Sequence, residues 1–264
     1  MEILGYIASL VIGVSLGLIG GGGSVLTVPV LVYLFSVEPV LATAYSLFVV
    51  GTTSLVGAIP KYKKGLVNMQ TAIVFSIPSI VSVYFTRRFI VPAIPNKVLV
   101  IGDFVLTKPV FFMLVFAILM VFASYSMIIG NDQKEEELTE QKFNYPLIII
   151  EGLLVGLLTG IVGAGGGFLI IPALVILSKL PMKSAIGTSL LIIAAKSLIG
   201  FLGDLSHTTM NWNLLLPVTA LAVGGIFIGD WLSKKMQPQL LKKLFGWFVL
   251  LLGIYIILKE VILT

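Results

Sequence analysis

Continuous apolar runs of about twenty residues recur along the chain, and they constrain it more than any other feature. A helix crossing a hydrocarbon core of about 30 Å needs roughly that length, whereas a barrel strand needs alternating segments of about ten. The runs here are unbroken by polar alternation, so the spanning structure they imply is helical. Of the 264 residues 58% are hydrophobic and 11% charged. Soluble domains carry about 25% charged residues, so a water-soluble globular enzyme is excluded. The class is an all-α polytopic membrane protein. Its net charge of +5 suits lysine-bearing loops facing a cytoplasm and not nucleic-acid binding. The absence of cysteine excludes disulfides, thiolate metal sites and cysteine nucleophiles. The first apolar run carries Glu2 and no basic lead-in, so it reads as a retained helix and not a signal peptide.

The second constraint is an internal duplication. GLIGGGGSVLTVPVLVYL, residues 17–34, returns as GIVGAGGGFLIIPALVIL, residues 160–177, displaced by 143 positions. The same displacement pairs Ser46-Leu47 with Ser189-Leu190, Ser54-Leu55-Val56-Gly57 with Ser197-Leu198-Ile199-Gly200, Asn68 with Asn211, and Pro95 with Pro238. Shared apolar composition would match leucines; it would not align a glycine cluster with a following proline. Two homologous halves follow, 1–129 and 145–264, joined by a polar linker at 130–144. Each half opens on a glycine-broken stretch (3–35 and 145–177). Three apolar segments follow each, near 40–60, 67–91 and 104–129, then near 184–203, 211–233 and 244–262. This amounts to eight full spans, or ten helical segments if each broken stretch counts as two.

A stretch of this length is about 50 Å as one helix, too long for an upright crossing. If the glycines mark a hairpin, each half has odd parity and the halves are inverted; if the stretch is one tilted span, they are parallel. Counting Lys and Arg on each side does not separate the two. Glycine breaks in matching positions of two halves favour inverted repeats. In that arrangement the linker and the KYKK, SKLPMK and KKMQPQLLKK loops are cytoplasmic and both termini external.

The breaks themselves suggest chemistry. Gly20, Gly21, Gly22 and Gly23, then Ser24, lead into an apolar segment, and so do Gly163, Gly165, Gly166 and Gly167 around Ala164. A helix N-terminus offers unpaired N–H groups and the positive end of a dipole, which hold an anion. Glycine permits the left-handed turn such a break needs and a close approach of backbone to ligand. Irregular backbone at membrane depth survives only inside protein or beside a cavity, so two such breaks meeting near the midplane would form one anion site. The bland alternative is close helix packing, and it is preferred for Gly13-x-x-x-Gly17 and Gly156-x-x-x-Gly160. No Lys-Ser/Thr pair follows the glycines, so they are not a nucleotide loop.

Lys196 is the other informative residue, flanked on both sides by about ten apolar or small residues. A charge at that depth costs about 2.5–3.5 kcal/mol and is a functional hypothesis by default. Its repeat mate is Thr53. The competing readings are a structural pair with a carboxylate such as Glu151 or a neutral buried amine. Ser46, Thr52, Thr53, Ser54, Thr188, Ser189 and Ser197 are hydroxyls in matching segments; they can donate to an oxyanion, though such groups usually bond a carbonyl one turn back. Asn68 and Asn211 read as helix caps. Arg87-Arg88, Lys234-Lys235 and the three tryptophans read as interfacial anchors. His207, the one histidine, falls in a polar turn.

At these residues the chain resembles the sulfite exporter TauE/SafE family of small bacterial and archaeal membrane permeases. The matching pieces are GLIGGGGSVLTVPVL, TAYSLFVVGTTSLVGA and YKKGLVN in the first half. GIVGAGGGFLIIPAL, AIGTSLLIIAAKSLIGFLGDL and GGIFIGDWLSKKM match in the second. The resemblance implies export or import of sulfite, an organosulfonate or a related organic anion across the cytoplasmic membrane. Tyr45 departs from the pattern seen at Thr188-Ser189, which bears on the pocket and not on the fold. Residues from about 96 to 109 have no counterpart in the second half.

The leading function is therefore a secondary transporter of a small anion, working by alternating access. Its candidate site comprises the glycines of both breaks with Ser24, Ser46, Thr53, Ser54, Ser189, Lys196 and Ser197. The alternative is a passive anion channel using the same site. An intramembrane enzyme would need a nucleophile–base pair or metal ligands inside the membrane, and none is evident. No cofactor or metal is called for. The coupling ion, H+ or Na+, and a homodimer packed through small-residue faces are left open; Glu151, Asp204 and Asp230 are the candidate coupling carboxylates.

Overall fold

The computed structural model describes residues 2–101, 104–129, 145–163, 165–176, 180–205, 209–235 and 238–262. The 130–144 linker, Ala164 and His207 lie outside the described residues. The first half contains α1 (Glu2–Ile19), a 3-10 helix (Gly20–Leu26), α2 (Thr27–Tyr33), α3 (Pro39–Lys63) and α4 (Met69–Phe85). A π-helical turn (Thr86–Ile90) continues α4 into the short α5 (Val91–Ala93), ahead of α6 (Lys108–Ile129). The second half contains α7 (Tyr145–Val162), α8 (Gly167–Ile176), α9 (Met182–Asp204), α10 (Trp212–Ser233) and α11 (Pro238–Ile262). The bounds of α7 are those of α1 displaced by 143. The all-α expectation needs one addition, at 96–109, the stretch without a counterpart. There β1 (Lys97–Ile101) and β2 (Phe104–Thr107) form an antiparallel hairpin with Val100 opposite Val105.

Length and apolarity suffice for membrane crossing in five helices among the described residues: 39–63, 69–93, 108–129, 182–204 and 212–233. Ile3–Ile19, Gly23–Tyr33 and Pro146–Val162 are shorter apolar helices. The outward faces suit lipid, with Ile77, Phe122, Leu154, Phe227 and Leu251 all more than half exposed.

Local chemistry sets the helix starts. Asn68 and Asn211 cap α4 and α10: their Oδ1 atoms accept from Thr71 N at 2.9 Å and Leu214 N at 3.3 Å. Such caps contribute about 1 kcal/mol each. The residue preceding each interaction repeats a second device. Asn68 N–H donates to Thr188 Oγ1 at 2.9 Å, and Asn211 N–H donates to the Tyr45 hydroxyl at 2.6 Å. Tyr45 and Thr188 are repeat mates, so the departure at Tyr45 keeps a hydroxyl in the same role on a longer arm.

Glycines then fix the packing. A Cβ at Gly13 would strike the carbonyl of Ala222, and one at Gly17 that of Ile226; Gly225 and Gly229 likewise meet Leu10 and Val14. Hence α1 and α10 run parallel with backbones touching. The mates repeat this: Gly156 meets Ser79 and Gly160 meets Thr86, so α7 and α4 run parallel. The central pair is different. Gly51 meets Leu198 and Gly57 meets Leu190, so α3 and α9 run antiparallel. In the outer pair Gly246 meets Ile128 and Gly253 meets Met120, which makes α6 and α11 antiparallel as well. Ile12, Leu16, Val25, Phe75, Ile170 and Ile193 belong to the core that these helices enclose.

Candidate functional site

The two glycine breaks meet, and they are built differently. Gly20 and Gly163 are repeat mates with matching left-handed backbone, φ +71° and +73°. After Gly20 the chain does not open into a loop; it winds on as the 3-10 helix through Gly21, Gly22, Gly23 and Ser24. That tighter turn tolerates the run because Ser24 Oγ donates back to the Gly21 carbonyl at 2.7 Å. Ser15 Oγ lies 2.8 Å from the Ile12 carbonyl, beside Gly23. In the second half Gly165 and Gly166 are also left-handed, φ +64° and +67°, so the chain makes a sharp turn before α8. The contact is direct. A Cβ on Gly21 would enter Gly167, and one on Gly167 would enter the Gly21 backbone. Only glycine allows this approach.

Lys196 enters at this junction. It is 1% exposed. Its Nζ donates to Thr159 Oγ1 at 2.9 Å and lies 2.8 Å from where a Cβ on Gly166 would be. Among the described residues it forms no ion pair, and the alternative of a Glu151 partner is not what the structure records. The buried amine therefore stands beside the glycine turn that starts α8, with one neutral hydroxyl as partner. Ser197 Oγ is next to Gly165, together with Val50 and Ile193. Thr53 and Ser54 follow Val50 by one helical turn and Ser46 precedes it by one, so all four share the same side of α3.

The hydroxyls sort into two groups. Ser24 and Ser189 bond backbone carbonyls three residues back, Gly21 and Ile186, the ordinary occupation of such groups in a helix. Ser46, Thr53, Ser54 and Ser197 are wholly buried and have no hydrogen-bond partner among the described residues. A buried unsatisfied hydroxyl costs about 1–3 kcal/mol. All four lie on the two central antiparallel helices, one of which also carries Lys196. Gly20 packs away from them, against Ile186 and Ile171, and Gly163 against Thr43. Thr159 was not singled out from the sequence: nothing in its spacing marks it, and its mate is Leu16.

Charged residues at the helix ends also found partners. Asp230 holds Lys61, with Lys234 at 3.5 Å and Lys64 at 3.9 Å. Arg87, expected as an exposed anchor, is fully buried; its Nη1 lies 3.5 Å from Asp204 and donates to Thr43 Oγ1 at 2.8 Å. The anchor expectation is corrected because the carboxylate of α9 reaches it inside the protein. Trp212, Trp231 and Trp247 are exposed, with Lys235 Nζ 3.8 Å from the Trp231 ring. No metal-ligating cluster of His, Cys, Asp and Glu occurs among the described residues.

Residues 5–256 match the family model described as Sulfite exporter TauE/SafE. A probable membrane transporter protein of Xylella fastidiosa is 28% identical, covering 94% of this chain and 92% of its own length. The probable membrane transporter protein YunE of Bacillus subtilis is 26% identical, covering 99% and 97%. The probable membrane transporter protein MJ0441 of Methanocaldococcus jannaschii is 34% identical, over 42% of this chain and 43% of its own. No solved structure matches the chain at a significant level.

Proposed function

We propose, on the premise that this chain belongs to the sulfite exporter TauE/SafE family, that it is a secondary transporter of a small oxyanion. Sulfite, an organosulfonate or a related organic anion is its substrate, and the cytoplasmic membrane of a bacterium or archaeon its location. One observation carries the reading: a buried lysine without a carboxylate, beside a glycine turn at a helix start and unpartnered buried hydroxyls. Nζ of Lys196 supplies charge; Thr53, Ser54, Ser46 and Ser197 supply neutral donors; the first N–H groups of α8 supply the dipole end. An anion entering this set would satisfy groups that are otherwise costly to leave unpaired.

Alternating access is favoured over an open pore because every side chain of that set is at most 1% exposed. A substrate reaches them only if helices part. Inverted repeats give the motion its form. Supporting them are the antiparallel packing of the mates α3 with α9 and α6 with α11, and the parallel packing of α1 with α10 and α4 with α7. That pattern is what exchange of two inverted halves, 1–129 and 145–264, produces. Both termini then lie outside, with the linker on the cytoplasmic face.

Radiolabelled sulfite counterflow in proteoliposomes, wild type beside Lys196→Ala, tests the reading. Saturable exchange that collapses in the variant is the expected result. Exchange surviving the substitution returns Lys196 to a structural role. A wild-type protein that exchanges neither sulfite, sulfonates nor small carboxylates overturns the function.

A further inference from the structure

The repeat displacement, applied to the charged ends of the central helices, uncovers a relation that the site does not use. Lys61 at the end of α3 has Asp204 at the end of α9 as its mate, and Asp230 of α10 has Arg87 as its mate. The two ion pairs, Lys61–Asp230 and Arg87–Asp204, are thus one pair drawn twice with the signs exchanged. Because α3 and α9 run antiparallel, the two stand at opposite ends of the central helix pair. Gly187, which faces Leu66 and Lys61, is separated from Asp204 by about 25 Å of helix rise. A hydrocarbon core is about 30 Å thick. Lys196 precedes Asp204 by eight residues and Thr53 precedes Lys61 by eight, about 12 Å of rise in each case. The candidate anion site therefore lies midway between the pairs.

Each pair also has a connection inward. Lys61 and Asp230 are in the wall of a cavity of about 20 Å³ that Gly17, Gly57, Leu190 and Ile226 complete; it is about the size of one water. Arg87 donates to Thr43, whose backbone lies against Gly163, the first glycine of the second break. Breaking the first pair would open unfilled space toward Leu190; breaking the second would free Thr43, against which the glycine turn near Lys196 begins.

We propose that these sign-exchanged ion pairs are the two latches of one permeation path, Lys61–Asp230 closing one mouth and Arg87–Asp204 the other. This rests on the transporter reading and adds to it which residues hold each side shut. Both latches are engaged in this structure, so it is an occluded state. Opening to either side breaks one pair and keeps the other, and distance keeps each residue from its own mate. Lys61 facing Asp204 or Arg87 facing Asp230 would be attractive, but those partners lie at opposite mouths.

The test uses the lack of native cysteine. Leu190→Cys and its mate Leu47→Cys, both nearly inaccessible, report one mouth each to a membrane-impermeant maleimide in vesicles of known orientation. Asp230→Asn is expected to speed labelling of the Leu190→Cys reporter by about tenfold, from one face only, and to leave the Leu47→Cys reporter unchanged. Asp204→Asn is expected to do the reverse from the other face. The reversed pair Lys61→Asp with Asp230→Lys should restore slow labelling. If Asp204→Asn fails to fold for want of an arginine partner, Arg87→Gln with Asp204→Asn removes both charges and replaces it. Unchanged labelling in all variants overturns the proposal. So does acceleration from the same face, or at both reporters alike. Sulfite exchange is read separately: side-specific labelling without exchange keeps the latches and removes the substrate, and the converse keeps the substrate and removes the latches.

Discussion

A Cβ at Gly166 would crowd Lys196, and that closeness makes the sharpest residue-scale prediction. A methyl at residue 166 meets Nζ of Lys196 and the side chain of Thr159, on backbone at φ +67° that an L residue rarely adopts. Gly166→Ala should therefore abolish anion exchange, whereas Gly65→Ala, at similar φ with open space around it, should keep exchange and lose only about 1 kcal/mol of stability. Counterflow with both variants checks this. Thr159→Val leaves the ammonium without its hydroxyl and should lower the melting temperature of the detergent-solubilised protein, by a destabilisation of about 1–3 kcal/mol. Thr159→Ser should restore it. Retained stability in Thr159→Val would mean that the bond to Lys196 contributes nothing. At this scale Lys196 and the glycines were legible, because an intramembrane charge and a break in helix propensity both declare themselves in one dimension. Thr159 was not, since its partnership exists only once α7 lies against α9. Arg87 was misread for the same reason, although the repeat displacement that links it to Asp230, and Lys61 to Asp204, was in view.

Between elements, glycine decides which faces touch. Gly224 and Gly225 are neighbours in α10, yet a Cβ on Gly224 meets open space and one on Gly225 meets the carbonyl of Leu10. Gly224→Ala should stabilise the helix by about 0.5–1 kcal/mol through backbone entropy. Gly225→Ala should instead push α1 from α10 and destabilise by about 1–3 kcal/mol. Opposite shifts in thermal melting are the expected outcome; shifts of the same sign would contradict the close approach. The small-residue spacing at Gly13, Gly17, Gly156 and Gly160 announced a packing face, but it could not say that α1 would choose α10 and α7 choose α4. Nor did any periodicity announce the hairpin at 97–107, where a single alternating stretch is too short to stand apart from the apolar run beside it.

For the whole molecule, the antiparallel packing of repeat mates has a consequence that does not depend on the substrate. If α3 and α9 run oppositely through the membrane, the chain that leaves each one emerges on opposite faces. Residues 63 and 209 follow those two exits, and both are exposed. Single substitutions Lys63→Cys and Thr209→Cys should therefore react with an impermeant thiol reagent from opposite sides of sealed vesicles. Parallel repeats would put both on the same side. Charge counting along the chain could not make this choice, because Lys61 and Arg87, which weigh on it, are half-buried and buried in ion pairs and are not free loop charges. Removing them from the tally leaves, among the described residues that are exposed or partly exposed, Lys63, Lys64, Lys183, Lys234, Lys235 and Lys243 toward the Lys61 mouth, against Arg88, Lys97, Lys108 and Lys259 toward the other. Lys64 and Lys234 both approach Asp230 beside Lys61. Lys183 opens α9, at the end that faces Leu66 through Gly187. More of the exposed basic residues thus lie at the Lys61 mouth, and the positive-inside tendency assigns that mouth to the cytoplasm. Lys63→Cys should accordingly be labelled in inside-out vesicles and Thr209→Cys in right-side-out ones; the exchanged result would keep the inverted repeats and reverse the molecule in its membrane.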